Sequence, residues 1–149
     1  MKITRTKLEE LIDDDTYFSR GQSYFEDGAV SLISIENDKV KAESLGSRLY
    51  EINLYFDKKS GLLDGNCTCP AFEDYGPCKH MAATGLALIA NNNGGYNPNE
   101  EFEDRRNELT RLRNSLMKKS RKELVDIILK IADDDPEIYY MLDEEEGYY

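Results

Sequence analysis

Three cysteines and the only histidine of the chain fall in one short window, Cys67-Thr68-Cys69 and then Cys78-Lys79-His80. No other Cys or His occurs in the 149 residues. Four soft or borderline ligands arranged as two pairs across a short loop are the number a closed tetrahedral zinc site takes. The window therefore limits the fold: whatever surrounds it must bring a Cys-x-Cys pair and a Cys-x-His pair to one point. Cys67, Cys69, Cys78 and His80 are the candidate metal ligands, and Zn²⁺ is the expected ion.

Other readings of these residues are weaker. An odd number of cysteines, two of them one residue apart, argues against a disulfide framework and for a reducing compartment, with the cytoplasm as the default. A disulfide between Cys67 and Cys69 would be strained. A Cys78–His80 catalytic dyad would need two side chains at i, i+2 to face each other on a helix, which they do not. Buried cysteines acting as small hydrophobes explain one thiol better than four clustered ligands. Iron–sulfur clusters favour four cysteines. With all four positions supplied by protein, no site remains for a catalytic water, so the metal is expected to be structural and the chain non-enzymatic, with no catalytic residues and no small-molecule substrate.

The pattern around the window predicts an α+β fold. Leu8, Leu11 and Ile12 follow Thr6 and Glu9, which have capping-box spacing, and Thr16 is placed to cap a second helix carrying Phe18 and Phe25. Gly28 is a left-handed stop. The period then changes to two. Residues 29–36 and 39–45 read as strands joined at Asn37-Asp38, Gly46-Ser47 turns the chain, and residues 48–56 place Tyr50, Ile52, Leu54 and Phe56 on one face. Lys58-Lys59-Ser60-Gly61 turns it again, and Leu62-Leu63 leads into the cysteines, giving a small antiparallel sheet. Pro70 suits a tight turn behind the first ligand pair. Lys79 through Ile89 is helical, with the ligands at its start, where free amide N–H groups can donate to thiolate sulfur. Asn91 to Gly95 breaks that helix.

The expected organisation is residues 1–93 as the metal-binding domain with N-terminal helices, 94–99 as a linker, and 100–149 as a C-terminal helical extension. In the extension, Leu109, Leu112 and Leu116 mark one helix. Ser120 with Glu123 forms a capping box ahead of Leu124, Ile127, Ile128 and Ile131. Asp135-Pro136 opens a short last helix, and the acidic end, Asp143 to Tyr149, frays. The longest uncharged stretch, Met81 to Asn99, is broken by Asn and Gly and cannot span a membrane.

The formal net charge is -11. Proteins that hold a duplex by neutralising phosphates usually present a basic face, so this balance favours a protein partner over nucleic acid. One stretch runs the other way. Arg105, Arg106, Arg111, Arg113, Lys118, Lys119, Arg121 and Lys122 stand against a single acid, Glu108. Arg105, Arg106, Arg111, Arg113, Lys118 and Lys119 are the candidate phosphate contacts of an alternative reading, direct DNA or RNA binding.

The ligand spacing resembles the SWIM zinc finger, a Cys-x-Cys…Cys-x-His motif found in Swi/Snf-type ATPases, MuDR-like transposases and recombination-mediator proteins. The similarity extends to Phe18-Ser19-Arg20-Gly21-Gln22-Ser23-Tyr24, to Gly28-Ala29-Val30, to Gly46-Ser47-Arg48-Leu49-Tyr50-Glu51-Ile52, and to Gly76-Pro77-Cys78-Lys79-His80-Met81-Ala82-Ala83. It covers residues 16–90, in a form that stands alone, with no ATPase, transposase or nuclease motif beside it. The resemblance implies a β-β-α fold around zinc and a role in protein or DNA binding. The expected function is a zinc-stabilised interaction module that docks onto a protein partner in DNA transactions, such as a DNA-acting ATPase or recombinase. The role of Arg20 is open: it either pairs with an acid or projects beside the zinc site.

Overall fold

The architecture comes from a computed structural model that describes residues 1–94, 98–135, 137, 138 and 142. Two helices open the chain, α1 (Arg5–Ile12) and α2 (Asp15–Glu26), followed by strands β1 (Val30–Ile35), β2 (Lys39–Leu45), β3 (Leu49–Phe56) and β4 (Leu63–Cys67). Helices α3 (Pro70–Tyr75), α4 (Lys79–Asn93), α5 (Pro98–Met117) and α6 (Arg121–Asp134) complete it. The α+β expectation holds.

The four strands form an antiparallel meander in sequence order. Its register pairs Ala42 with Ile52 and Ile52 with Cys67, so the last residue of β4 sits beside the centre of β3. Alternation decides the faces. Val40 and Ala42 on β2, Tyr50, Ile52 and Leu54 on β3, and Leu63 and Cys67 on β4 are buried, while Lys41, Glu51, Asp64 and Asn66 are exposed.

Helix α4 covers the buried face and packs most extensively on α2, with α1 and the sheet around it. Every residue from His80 to Leu88 is buried, as expected for a helix apolar on all sides. The approach of α2 to α4 is closer than ordinary side chains permit. A Cβ on Gly21 would lie 2.4 Å from Ala82 Cβ and 2.7 Å from the Lys79 carbonyl oxygen.

Several local expectations are corrected. The cap of α1 is Thr4, whose hydroxyl accepts from the Lys7 amide, and the cap of α2 is Asp14, which accepts from Tyr17. Thr6 and Thr16 lie inside the helices they were expected to cap. In both cases an earlier polar residue adopts the extended backbone a cap needs. Pro70 is not in a tight turn but opens α3 at its first position, where its missing N–H costs nothing. Gly28 does take the left-handed conformation, at φ 68°, and the Ser120–Glu123 capping box is present.

The chain divides into two compact units, Met1–Arg106 and Asn107–Tyr149. The division falls within α5, not at the Asn/Gly stretch. The first turns of α5 belong to the first unit because Phe102 is 1% exposed and Asn99 engages the edge strand β1. Asn99 Oδ1 accepts from the Leu32 amide and the Ser31 hydroxyl, both at 3.0 Å. Its Nδ2 donates to the Leu32 carbonyl. Pro98 and Asn99 are thus the start of a helix. Of the helix expected after Asp135, Glu137 and Ile138 are helical; Pro136 and residues 143–149 lie outside the described residues.

Candidate metal centre

The ligand pairs come from three element ends. Cys67 is the last residue of β4, and Cys69 leaves the strand as the residue preceding α3. Cys78 immediately precedes α4, and His80 lies in its first turn. A strand would send Cys67 and Cys69 to the same face two residues apart; ending the strand between them lets both sulfurs converge. The irregular first turn of α4 does the same for Cys78 and His80.

The four donor atoms lie within 4.8 Å of one another, and all four residues are buried. Cys78 is fully buried, and Cys69 and His80 are each 2% exposed. The Nδ1 atom of His80 faces the sulfurs, 3.8 Å from Cys67 Sγ and 3.8 Å from Cys78 Sγ. These separations are long for hydrogen bonds. They approach the S···N edge of about 3.5–3.6 Å in a tetrahedron with Zn–S of ~2.3 Å and Zn–N of ~2.0–2.1 Å. All three cysteines are free of disulfides. No other group of this kind occurs among the described residues.

The electrostatics of the donor set also suit a cation. Hydrogen bonds from Cys67 and then Cys78 pull the Cys69 thiol far below its ordinary range, with a smaller contribution from the Phe72 amide. Its bonds to Cys69 and Cys78, together with burial, push Cys67 far up. Cys78 is drawn down by Cys67, but its bond to Cys69 and its burial leave it pushed up to about 11. Two thiolates facing each other in this desolvated space would repel. A divalent cation at the centre removes that repulsion, so the residues fit a Zn²⁺ ion.

The histidine is clamped. Tyr50 lies 4.8 Å from it, centroid to centroid, in a tilted stack, and Tyr24 meets it edge-on at 5.2 Å. The Tyr50 hydroxyl and Ser47 Oγ share a hydrogen bond of 2.7 Å, and Lys79 Nζ sits 4.7 Å above the Tyr24 ring. Gly46 closes the far side. A Cβ there would lie 2.7 Å from Tyr50 Cε2 and 3.3 Å from His80 Nε2. The Nε2 atom is buried without a hydrogen-bond partner among the described residues, so aromatic packing alone orients the ring on that side.

Tyr24, Tyr50 and Gly46 belong to the site without being ligands. Their signal is in the sequence. Tyr50 is on the buried face of β3, in register with Ser44, and Gly46 is in the turn before it. Arg20 is exposed and has no ion pair among the described residues. It lines a cavity of about 520 Å³ with Asp13, Asp14, Tyr17, Tyr75 and Pro77, beside the loop that carries the second ligand pair.

The basic residues of the alternative reading do not gather on one face. At about 100° per residue, Arg106 and Arg113 share a side of α5. Arg111 is turned well away from them, and half-buried Arg105 falls on the apolar side with Leu109, Leu112 and Leu116. Lys118 and Lys119 lie in the turn between α5 and α6. No described helix is long and apolar enough to cross a membrane.

Residues 50–88 match the family model of the SWIM zinc finger. The match begins at Tyr50, the ring stacked on His80, and ends at Leu88, buried in α4. No curated protein and no solved structure matches the chain significantly.

Proposed function

We propose that this chain, which carries a SWIM zinc finger over residues 50–88, holds one Zn²⁺ on Cys67, Cys69, Cys78 and His80 and acts as a non-enzymatic docking module. The observation that carries the reading is the closure of the site: four protein donors within 4.8 Å of one another, all buried. Such a set fills a tetrahedral ion and leaves no position for substrate or an activated water. The three sulfurs accept the cation's charge, the tyrosine pair holds the imidazole, and α3 with the loop to Cys78 is stapled to the sheet. The ion's contribution is to fix the shape of the surface around it.

The partner we infer is a protein, one that acts on DNA. The net charge of -11 supports this, as does the scatter of the basic residues around α5. Metal analysis of protein purified under reducing conditions should give about one zinc per chain. A finding of none would remove the foundation of this reading. The nucleic-acid alternative rests on the Arg105–Lys122 charge excess. A salt-dependent shift of DNA or RNA that disappears in an Arg111→Ala/Arg113→Ala variant would favour that alternative over protein docking. Capture experiments with Cys78→Ser as the control then identify what depends on the zinc-shaped surface.

A further inference from the structure

The sheet ends in two edge strands, β1 and β4. An edge strand presents backbone N–H and C=O groups with no neighbouring strand, and these form a template for another chain. Composition makes β1 the more hazardous edge. Val30–Ile35 reads Val-Ser-Leu-Ile-Ser-Ile, with no charge, no proline and no glycine, the kind of segment that pairs with copies of itself. Strand β4, by contrast, contains Asp64 and Gly65. On β1, Ile33 and Ile35 are 57% and 41% exposed.

Two features of the fold blunt this edge. The register slips between Leu32 and Ser34, which leaves Ile33 without a partner on β2 and disturbs the strand there. The second feature comes from α5. Both backbone groups of Leu32 are taken by one side chain: Asn99 Oδ1 accepts from the amide at 3.0 Å, and Nδ2 donates to the carbonyl at 3.3 Å. These are the two bonds that a residue of an antiparallel neighbour would exchange with Leu32. The buried Ser31 hydroxyl adds a third bond to Oδ1. The turn that carries Asn99 is seated by buried Phe102 and by Glu101, whose Cβ would lie 2.8 Å from a Cβ on Gly28. One carboxamide thus stands in for a residue of a fifth strand.

We propose that Asn99 is a clasp that closes the β1 edge, and that the strand it closes would otherwise pair with β1 of a second copy of this chain. The occupant is a second copy because the segment is self-complementary. An antiparallel two-fold pair about Leu32 gives each Leu32 the two bonds that Asn99 now supplies, with no charge of either strand to oppose it. The clasp prevails because its bonds lie within one chain and require no second molecule to be ordered.

Sedimentation equilibrium on the full chain, from about 10 µM to about 1 mM, reads the pairing. Asn99→Ala should associate about tenfold more tightly than the parent, its average mass climbing from 17.1 kDa toward twice that value. Its circular dichroism spectrum should stay that of the parent, because Asn99 lies outside the apolar core. Adding Ile33→Lys to Asn99→Ala should return the monomer, since a lysine on an edge strand opposes pairing. In hydrogen exchange at the lowest concentration, the Leu32 amide should exchange about tenfold faster in Asn99→Ala than in the parent. Phe102→Leu, which loosens the seat of α5 with Asn99 in place, should shift both readings the same way by less. It carries the test if Asn99→Ala does not fold. A Leu32 amide equally protected in the parent and the variants overturns the clasp. Variants that stay as dissociated as the parent, or association that Ile33→Lys leaves unchanged, overturn the pairing with a second copy.

Discussion

At the scale of single residues, the site depends on side chains that never touch the ion as well as on those that would. Tyr50 stacks on His80 while Nε2 has no hydrogen-bond partner among the described residues, so the ring's orientation rests on packing. Replacing Tyr50 by Leu should weaken zinc binding by about 10–100-fold, the usual effect of losing an outer-shell support. Competition with a chromophoric chelator measures it, and an unchanged affinity would separate the tyrosine from the site. Gly21 acts at longer reach. Adding a methyl group sets a Cβ 2.4 Å from Ala82 Cβ, so Gly21→Ala should lower stability by about 1–3 kcal/mol through overpacking of α2 on α4. Thermal or denaturant unfolding reads that cost. The four candidate ligands were legible from residue type and spacing alone, since a chain with no other Cys or His offers no competing set. The tyrosines and Gly46 were legible only as a buried strand position, a helical repeat and a turn. What makes them part of the site is a contact across some thirty residues of chain or more, which local pattern does not record.

At the scale of elements, strands read more reliably than caps. The alternation in Tyr50, Ile52 and Leu54 shows directly which face is buried, because period two survives any surrounding. Helix starts shifted instead from Thr6 to Thr4 and from Thr16 to Asp14, since several adjacent polar residues can each supply an oxygen and backbone geometry chooses among them. Helix α3 escaped pattern reading because it is six residues long and buries only Ala71 and Phe72, and those in part. The α5 boundary moved because Phe102 is buried and Asn99 is held by Ser31 and Leu32, distant in sequence. Where both partners of a cap are specified, as in Ser120 and Glu123, the sequence signal and the structure coincide. That box also carries a pH dependence. The Ser120 amide, and then its hydroxyl, hold the Glu123 carboxyl below its ordinary range. A carboxyl lowered in the folded state contributes stability above its unfolded value, and the contribution is lost as pH falls through the folded value. Acidification should therefore fray the start of α6 before its centre. Glu123→Gln should flatten that response in amide chemical-shift titrations of residues 120–124, and an identical titration in both proteins would rule out the box as its source.

At the scale of the whole molecule, the metal's task differs between the parts of the chain. Helix α4 is buried from His80 to Leu88 against α1, α2 and the sheet, so apolar burial alone supplies much of what holds it. The segment between the ligand pairs has less such support: α3 fully buries no residue, only Ala71 and Phe72 pack partly buried against the core, and the Gly76–Pro77 turn that follows is half-buried. The apparent free energy of structural zinc binding, about 10–16 kcal/mol in zinc-finger precedent, would be directed chiefly at that loop and at the three sulfurs, which would repel one another as thiolates without a cation. Chelation should therefore act in a graded way. In hydrogen exchange followed by mass spectrometry, residues 68–79 should lose protection first and most, with the end of β4 and the first turn of α4 following. The centre of α4 should exchange faster only in proportion to the fall in global stability. Helix α6, in the second compact unit, should keep its exchange rates. Uniform collapse of both units on chelation would mean that the ion holds the entire chain together. An unchanged loop would mean that the four donors hold their positions without it. The graded pattern alone fits a staple that shapes one surface of an already folded core.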